Sequence, residues 1–181
     1  MGDWLYTARE RFTPASANRW RGYLEWIGFG HIEELVTLDH MLCPELIDQP
    51  NDADWSHNVQ ADYQTTWFHD CDYLRQRCEW QIGRDQIIAM IAEPTTESKP
   101  PRGFDPCGFD ILDGYDSISV LTNCGRFPGI IEPNAVNKWG LLPSLAFASS
   151  IAERIRTEFP EEPHCTDCRV WQLARDAELR K

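Results

Sequence analysis

The segment "PSLAFASSIAERIRTEFPEEPHCTDCRVWQLA", residues 143–174, holds two elements of different periodicity and decides the fold class. Its first half predicts an amphipathic helix that begins after Ser144, a favourable N-cap residue. Residues 169–174, "RVWQLA", predict a strand, and a helix over 169–180 is the alternative because Leu, Ala and Glu are good helix formers. The apolar positions of the first helix recur at helical spacing and are Ala148, Ile151, Ala152, Ile155 and Phe159.

Strand signals precede this segment at 85–92, "DQIIAMIA", at 108–113, "GFDILD", and at 117–123, "SISVLTN". The last two flank "GYD", so a hairpin is expected. The N-terminal third reads mainly helical, because the apolar residues of 17–29, "ANRWRGYLEWIGF", recur at helical spacing. This order predicts an α+β fold with N-terminal helices, a mainly antiparallel sheet, and a C-terminal helix followed by a strand.

Residues 62–78, "DYQTTWFHDCDYLRQRC", show the clearest helical pattern in the first half of the chain. One apolar stripe predicts a helix with a single face against the core. Cysteines on this stripe are expected to pack in the core, because free Cys is among the most buried residue types. We interpret Cys43, which precedes a proline, in the same way. The stripe consists of Tyr63, Trp67, Cys71, Leu74 and Cys78.

The whole chain, residues 1–181, is expected to form a single domain. With 181 residues, of which 42% are hydrophobic, it can bury a substantial core. A proline-rich stretch at about 94–106 could divide it. Neither flank looks large enough to fold alone, so we interpret this stretch as a loop between two strands.

The charge of the chain narrows the classes of partner. Its 17 Lys and Arg residues stand against 29 Asp and Glu residues, a formal net charge of −12. Nucleic acids and acidic membranes are bound by cationic surfaces, so neither is an expected partner. A basic protein would be attracted. The simpler interpretation is that the charge keeps the protein in solution.

The eight tryptophans exceed what an ordinary core requires. Trp and Tyr are enriched in binding hot spots. Trp20, Tyr23 and Trp26 cannot all face a core from one narrow helix. They predict either a surface for a protein partner or a homodimer, or a helix that is buried on two sides.

The lack of a recognisable targeting signal, together with the cysteine count, favours a cytoplasmic protein. Residues 1–12, "MGDWLYTARERF", carry charge where a secretory signal would be apolar. No apolar run approaches the roughly 20 residues of a transmembrane helix. Seven cysteines, an odd number, fit reduced thiols better than a complete disulfide framework.

The stretch "PHCTDC", 163–168, carries the clearest candidate chemistry. His164, Cys165 and Cys168 supply up to three zinc ligands, and Cys124 is the thiol that would complete a set of four. A thioredoxin-type pair lies between a strand and a helix, whereas this pair follows a helix. The alternative is a plain helix-to-strand loop without metal or other cofactor.

Two enzyme interpretations remain open. Cys124 lies where a predicted strand ends and would act as a catalytic nucleophile if a histidine lay close to it. Zinc deaminases carry H-x-E followed by P-C-x-x-C. His31 and Glu33 offer the first half, but His164 separates the proline from the first cysteine of the second half. Short phosphate-binding, esterase and metalloprotease motifs are missing, which lowers the weight of both interpretations.

Three stretches together resemble a known group of proteins: "YLEWIGFGHIEELVTLDHMLCPELI", "GFDILDGYDSISVLTNCG" and "EEPHCTDC". They resemble uncharacterised bacterial cytosolic α+β proteins of the immunity-protein type. The resemblance covers most of residues 20–171. It implies a bacterial cytosolic setting and a strand after Cys168, and it assigns no site residue.

Charge, surplus tryptophan and missing catalytic motifs together favour a non-enzymatic domain that binds a protein partner. An immunity-like inhibitor of a basic bacterial toxin is the role that fits the resemblance. The alternative is a zinc-binding protein, or a metal-dependent hydrolase or deaminase, that uses His164, Cys165 and Cys168.

Overall fold

The structure, a computed structural model, describes most of the chain. The described residues are 4–12, 22, 24–25, 28–38, 53–61, 66–77, 85–114, 118–122, 130–161 and 163–177. Their elements, in chain order, are β1 (Leu5–Glu10), α1 (Ala53–Asn58), β2 (Val59–Ala61), β3 (Thr66–Phe68), α2 (Cys71–Arg77), β4 (Asp85–Ala92), β5 (Phe104–Leu112), a 3-10 helix (Pro133–Ala135), α3 (Leu145–Glu158), α4 (Pro163–Thr166) and β6 (Arg169–Asp176).

The strands form one six-stranded sheet in the order β2-β3-β1-β4-β6-β5. Every neighbouring pair is antiparallel. β6 returns from the end of the chain and lies between β4 and β5, which follow each other in sequence but do not pair. In this register Ile88 of β4 lies opposite both Thr7 of β1 and Arg175 of β6. The predicted α+β fold, with a C-terminal helix followed by a strand, is confirmed.

Helices α2 and α3 cover one face of the sheet. Ile151 of α3 belongs to the same core cluster as Ile111 of β5 and Val170 of β6. Leu74 of α2 packs in a second cluster with Ile87 of β4. Because successive side chains of a strand point to opposite faces, these strand residues define the helix-covered face. Burying one such Leu or Ile contributes roughly 1.5–3 kcal/mol.

Irregular segments cover the opposite face. Ile88, Met90 and Leu173 point to this face and cluster with Val36 and Leu141. All five side chains are at most 1% exposed. The sheet is therefore buried on both faces, which explains the nearly continuous apolar run of β4.

Helix α3 begins where the sequence predicts. Ser144 caps it, since its Oγ accepts a hydrogen bond from Phe147 N at 3.3 Å. The predicted core positions Ala148, Ile151 and Ile155 are at most 3% exposed. α3 has 14 residues, and none of the helices within the described ranges is long and apolar enough to span a bilayer.

The strand predicted over 169–174 is confirmed by β6. The alternative helix over 169–180 is wrong for Arg169–Asp176, because this segment pairs with β4 on one edge and β5 on the other. Two paired edges satisfy its backbone groups, and this outweighs the helix propensity of its Leu and Ala residues.

The helix predicted over 62–78 is wrong in its first part. Thr66–Phe68 form strand β3, and α2 begins only at Cys71. Asp70 sets the boundary, because its Oδ1 accepts a hydrogen bond from Tyr73 N at 2.7 Å, as an N-cap side chain does. A stripe at helical spacing therefore runs across two elements.

The buried members of that stripe are nevertheless in the core. Trp67 and Leu74 are 4% and 0% exposed, from a strand and a helix respectively. Cys71 is only partly buried. Three residues of these predictions lie outside the described part of the chain, namely Cys43, Tyr63 and Cys78.

The N-terminus contains a strand that the sequence pattern did not indicate. β1 lies between β3 and β4, so both of its edges are paired. Within 17–29 the described residues before Gly28 are helical. Gly28 has a φ of 83°, and Phe29 N donates to Leu24 O at 2.6 Å. These features form a glycine-terminated helix end.

Among the described residues, the expected hairpin after β5 is reduced to a single antiparallel bridge, between Leu112 and Ser119. The described part of the predicted strand 117–123 otherwise has turn and bend conformations. Ser119 gives the reason: its Oγ donates to Asp110 Oδ1 at 2.6 Å and accepts from Leu121 N at 3.2 Å. Such side-chain bonds compete with strand pairing.

The proline-rich stretch connects β4 to β5 and is fixed to the sheet. Gln172 of β6 donates to Ser98 O at 2.7 Å and accepts from Ser98 N at 2.8 Å. The irregular part covers 93–103, since Phe104 to Pro106 already belong to β5. The loop therefore packs on the same sheet face as α3.

Candidate functional site

The Cys-x-x-Cys motif lies in the core beneath α3. Cys165 belongs to α4 and Cys168 directly precedes β6, and they are 2% and 0% exposed. Cys168 N donates to Cys165 O at 3.3 Å, so both residues belong to one turn. The Cys168 Sγ lies 3.8 Å from Ala152 O of α3 and can donate to it. Both thiols are therefore packed in the core.

Burial raises the pKa of Cys168 to about 11, although the nearby Arg156 guanidinium opposes this shift. Zinc binds the thiolate, so a metal would have to supply the free energy of deprotonation here. Within the described ranges no three His, Cys, Asp or Glu side chains are grouped as metal ligands. The side chain of His164 and the whole of Cys124 lie outside those ranges.

The residues of the deaminase interpretation have other contacts. His31 Nε2 is 3.0 Å from Val136 O, and Glu33 pairs with Lys138 at 3.2 Å on the surface. The second half of the motif would have to open a helix, but Arg169–Asp176 is strand β6. The strand after Cys168 therefore does not match the second half of the deaminase motif.

A buried ion-pair network links β6 to the segment 33–38. Glu34 accepts hydrogen bonds from Arg175 Nη1 at 2.5 Å and from Arg11 Nη2 at 2.9 Å. The Arg175 guanidinium lies 3.8 Å from the centre of the Trp139 ring. Burial raises the pKa of Glu34, but the hydrogen bonds and charges of the two arginines outweigh it and hold the pKa below its ordinary value.

Arg9 and Asp110 are two of the four other charged side chains that are buried in the described part; Asp113 and Asp176 are the others. Arg9, 1% exposed, donates to Thr37 O. Asp110, 0% exposed, accepts from Leu38 N at 2.7 Å and from Ser119 Oγ at 2.6 Å. These bonds hold irregular segments against the sheet, so we assign both residues a structural role.

The exposed surface of the described residues is strongly acidic. Twelve of the 19 described Asp and Glu side chains are exposed, but only four of the 11 described Lys and Arg side chains. The other seven acids and seven bases are buried or half-buried, so the exposed charges of the described part sum to −8. The exposed acids are Glu25, Glu33, Asp54, Asp70, Asp72, Glu93, Glu97, Glu132, Glu153, Glu158, Glu161 and Asp167; the exposed bases are Lys99, Arg102, Lys138 and Arg154.

Two of the described tryptophans pack in the interior. Trp67 and Trp171 are 4% and 3% exposed, and their rings stack with centroids 5.0 Å apart. Trp139 is half-buried. Phe147, at 36%, is the one large exposed hydrophobic side chain of the described part. The predicted surface of Trp20, Tyr23 and Trp26 lies outside it, so a homodimer stays a prediction.

A surface cleft of about 190 Å³ lies between β5 and the start of α3. Phe109 and Gln172, both buried, line its floor on the sheet face that α3 covers. Its rim consists of three exposed residues, Glu97, Pro106 and Pro143. It therefore combines an aromatic ring and an amide in its floor with a carboxylate at the rim.

Sequence reasoning missed both the ion-pair network and the cleft. A signal for the first exists: Arg175, one residue beyond the predicted strand 169–174, continues the period-two face of Trp171 and Leu173, which suggests a buried charge. A signal for the second is the Pro106 and Gly108 pair inside a strand, since both residue types mark bulges. Neither signal identifies the segment that covers the strand.

In comparisons with protein-family models, curated proteins and solved structures, nothing matches this chain. A functional argument therefore depends on the charge of its surface and on the geometry of the cleft.

Proposed function

We propose that this chain is a non-enzymatic binding domain that recognises a basic protein partner. The observation that carries the proposal is the charge of its surface: among the described residues, twelve exposed acids stand against four exposed bases. Such a surface attracts a cationic partner and can raise the association rate about 10- to 1,000-fold at low salt.

The exposed charges keep the negative sign of the sequence. The buried charged side chains of the described part are four acids and two bases, so burial does not add to the negative charge of the surface; they are Glu34, Asp110, Asp113, Asp176, Arg9 and Arg175. The exposed described side chains, twelve acids against four bases, carry a net charge of −8 that comes from the composition. A field of this sign attracts a cationic partner and also keeps the protein in solution.

The partner class that fits this field is a protein with a cationic working surface. Toxins that act on nucleic acid have such surfaces, because they must neutralise phosphates. An acidic domain that covers the cationic surface would inhibit the toxin without any catalytic step. This is the immunity-like role in the bacterial cytoplasm that the sequence resemblance implies.

Affinity capture tests the proposal. The full chain is immobilised and exposed at low salt to a bacterial lysate, and retained proteins are identified by mass spectrometry. We expect a specific basic protein that elutes at about 1 M salt, where the Debye length is about 3 Å. The control is an immobilised unrelated globular protein of equal net charge. Identical retention on both columns would contradict the proposal, because charge alone would then explain the capture.

Zinc binding is the second candidate, and one observation favours it: the fold places Cys165 and Cys168 in one turn. Native mass spectrometry of protein purified without chelator or affinity-tag metal separates the two candidates. A mass increase of one zinc ion that disappears in the Cys165→Ser/Cys168→Ser variant supports a metal site. A mass without zinc contradicts it.

A further inference from the structure

The cleft beside β5 is sized for one side chain. Pockets that hold cofactors or drug-sized ligands have volumes of roughly 300–1,000 Å³. The cleft measures about 190 Å³. At about 30 Å³ for each water molecule in the liquid, it has room for about six waters. An occupant of this size is a single long side chain of a larger molecule.

A bulge in β5 shapes the cleft. The pairing register of β5 shifts between Pro106 and Gly108, and Gly108 has a φ of 134°. A Cβ atom at this position would lie 2.6 Å from Leu142 O. Glycine thus lets the chain at Leu142 approach β5, where it exchanges two hydrogen bonds of 2.9 Å with Phe109. The wall of the cleft is fixed by these bonds.

The opposite wall is fixed as well. Gln172 holds Ser98 by the two hydrogen bonds described above. Glu97 Oε1 accepts from Leu145 N at 3.2 Å, at the first residue of α3. A cleft whose walls are both bonded to the fold needs little reorganisation to accept a ligand, which favours binding.

The chemistry of the lining selects a cation with an apolar stem. Phe109, Pro143 and Pro106 offer apolar contact, and Glu97 places a carboxylate at the rim. One oxygen of this carboxylate bonds Leu145, and its Oε2 accepts from none of the described residues. Arginine fits both features, because its methylene stem packs on apolar surface while its guanidinium pairs with carboxylates. Arginine is also enriched in protein interfaces.

We propose that this cleft receives an arginine side chain of the basic protein partner, with Glu97 as its counter-ion. The inference rests on the proposed function, since it names the point on the acidic surface at which that partner is anchored. It predicts that recognition depends on one carboxylate more than on any other exposed acid.

Nuclear magnetic resonance with a small probe tests the site directly. The probe is the peptide acetyl-Gly-Arg-Gly-amide, and the matched probe replaces arginine by citrulline, which has nearly the same shape without the charge. We expect the arginine peptide to shift the backbone amide signals of Ser98, Gly108 and Leu145, and the citrulline peptide to leave them in place. Equal shifts from both peptides, or no local shifts, would overturn the inference.

Two charge-matched variants make the test specific. Glu97→Gln keeps an acceptor for Leu145 N and removes the charge, so the arginine peptide should bind roughly fivefold more weakly, the upper range for an accessible ion pair. Glu132→Gln is the control, because Glu132 is exposed and its side chain makes no cap bond to its helix. Equal weakening in both variants would show a general charge effect and overturn the assignment to Glu97.

The peptide test and the capture test can fail independently of each other. If the partner is captured and the peptide does not bind, the cleft assignment is wrong and the proposed function stands. If the peptide binds at Glu97 but no specific basic protein is captured, the proposed function is wrong.

Discussion

Glu34 and Arg175 lie 141 residues apart in sequence and form an ion pair of 2.5 Å in which each side chain is at most 6% exposed. Desolvation of two charges is costly, and such a pair is tolerated only with further favourable contacts. Arg11 supplies a second hydrogen bond to the carboxylate, and the Trp139 ring lies against the Arg175 guanidinium. The pair therefore joins the segment 33–38 to the last strand of the sheet.

Replacement of Glu34 by Gln should destabilise the protein. Removal of one partner leaves Arg175 buried without its counter-charge, which costs about 3–5 kcal/mol in comparable pairs. Urea unfolding followed by fluorescence measures this loss. Glu33→Gln is the control, because Glu33 and Lys138 are 65% and 53% exposed and their pair should contribute at most about 1 kcal/mol. Similar losses in both variants would contradict the buried network.

The same carboxylate predicts a dependence of stability on pH. The folded-state pKa of Glu34 lies below its ordinary value, so the unfolded chain takes up its proton first as the pH falls. Its contribution is complete above the unfolded pKa and is lost as the pH falls through the folded pKa. We therefore expect the stability gap between wild type and Glu34→Gln to narrow below about pH 4. A gap that widens under acid would contradict the depressed pKa.

Gly108→Ala tests the bulge that shapes the cleft. The new Cβ would lie 2.6 Å from Leu142 O at a backbone φ of 134°, so a loss of about 1–3 kcal/mol is expected in thermal or urea unfolding. Gly22→Ala is the control: Gly22 is helical and a Cβ there meets nothing within 4 Å. That variant should gain up to about 1 kcal/mol. A neutral Gly108→Ala would mean that the chain at Leu142 does not approach β5 as closely as described.

The buried thiols should resist alkylation in the folded protein. With a pKa of about 11 and no exposed surface, Cys168 has roughly one thousandth of its population as thiolate at pH 8. Iodoacetamide followed by peptide mass mapping should leave Cys165 and Cys168 unmodified until denaturant is added. Rapid labelling of Cys168 in the native state would contradict its packing beneath α3.

The sequence predicts best the elements that carry their own signals. α3 combines an N-cap at Ser144 with an apolar stripe, and both occur as expected. β4 contains an apolar run over 87–92, and its bounds are those predicted. The segment 62–78 shows the limit, because Trp67 and Leu74 fit one helical stripe although they belong to different elements. Asp70 carried the local signal for the true start of α2.

Contacts between segments that are distant in the chain could not be predicted from the sequence. β1 is a strand because β3 and β4 pair with both of its edges, and no local pattern around Arg9 shows this. Glu34 is recognised as buried only once Arg175 is seen opposite it. The cleft likewise depends on the approach of Leu142 to Gly108, which no period in the sequence encodes.

The most direct test of the central claim is the association rate with the captured basic protein, measured by stopped-flow at increasing salt. The acidic surface predicts a rate that falls at least about tenfold as salt screens the charges. A variant with Glu132→Gln, Glu161→Gln and Asp167→Asn should associate more slowly at low salt and unfold at the wild-type denaturant concentration, because all three side chains are exposed. An association rate that changes neither with salt nor with these substitutions would contradict recognition through the acidic surface.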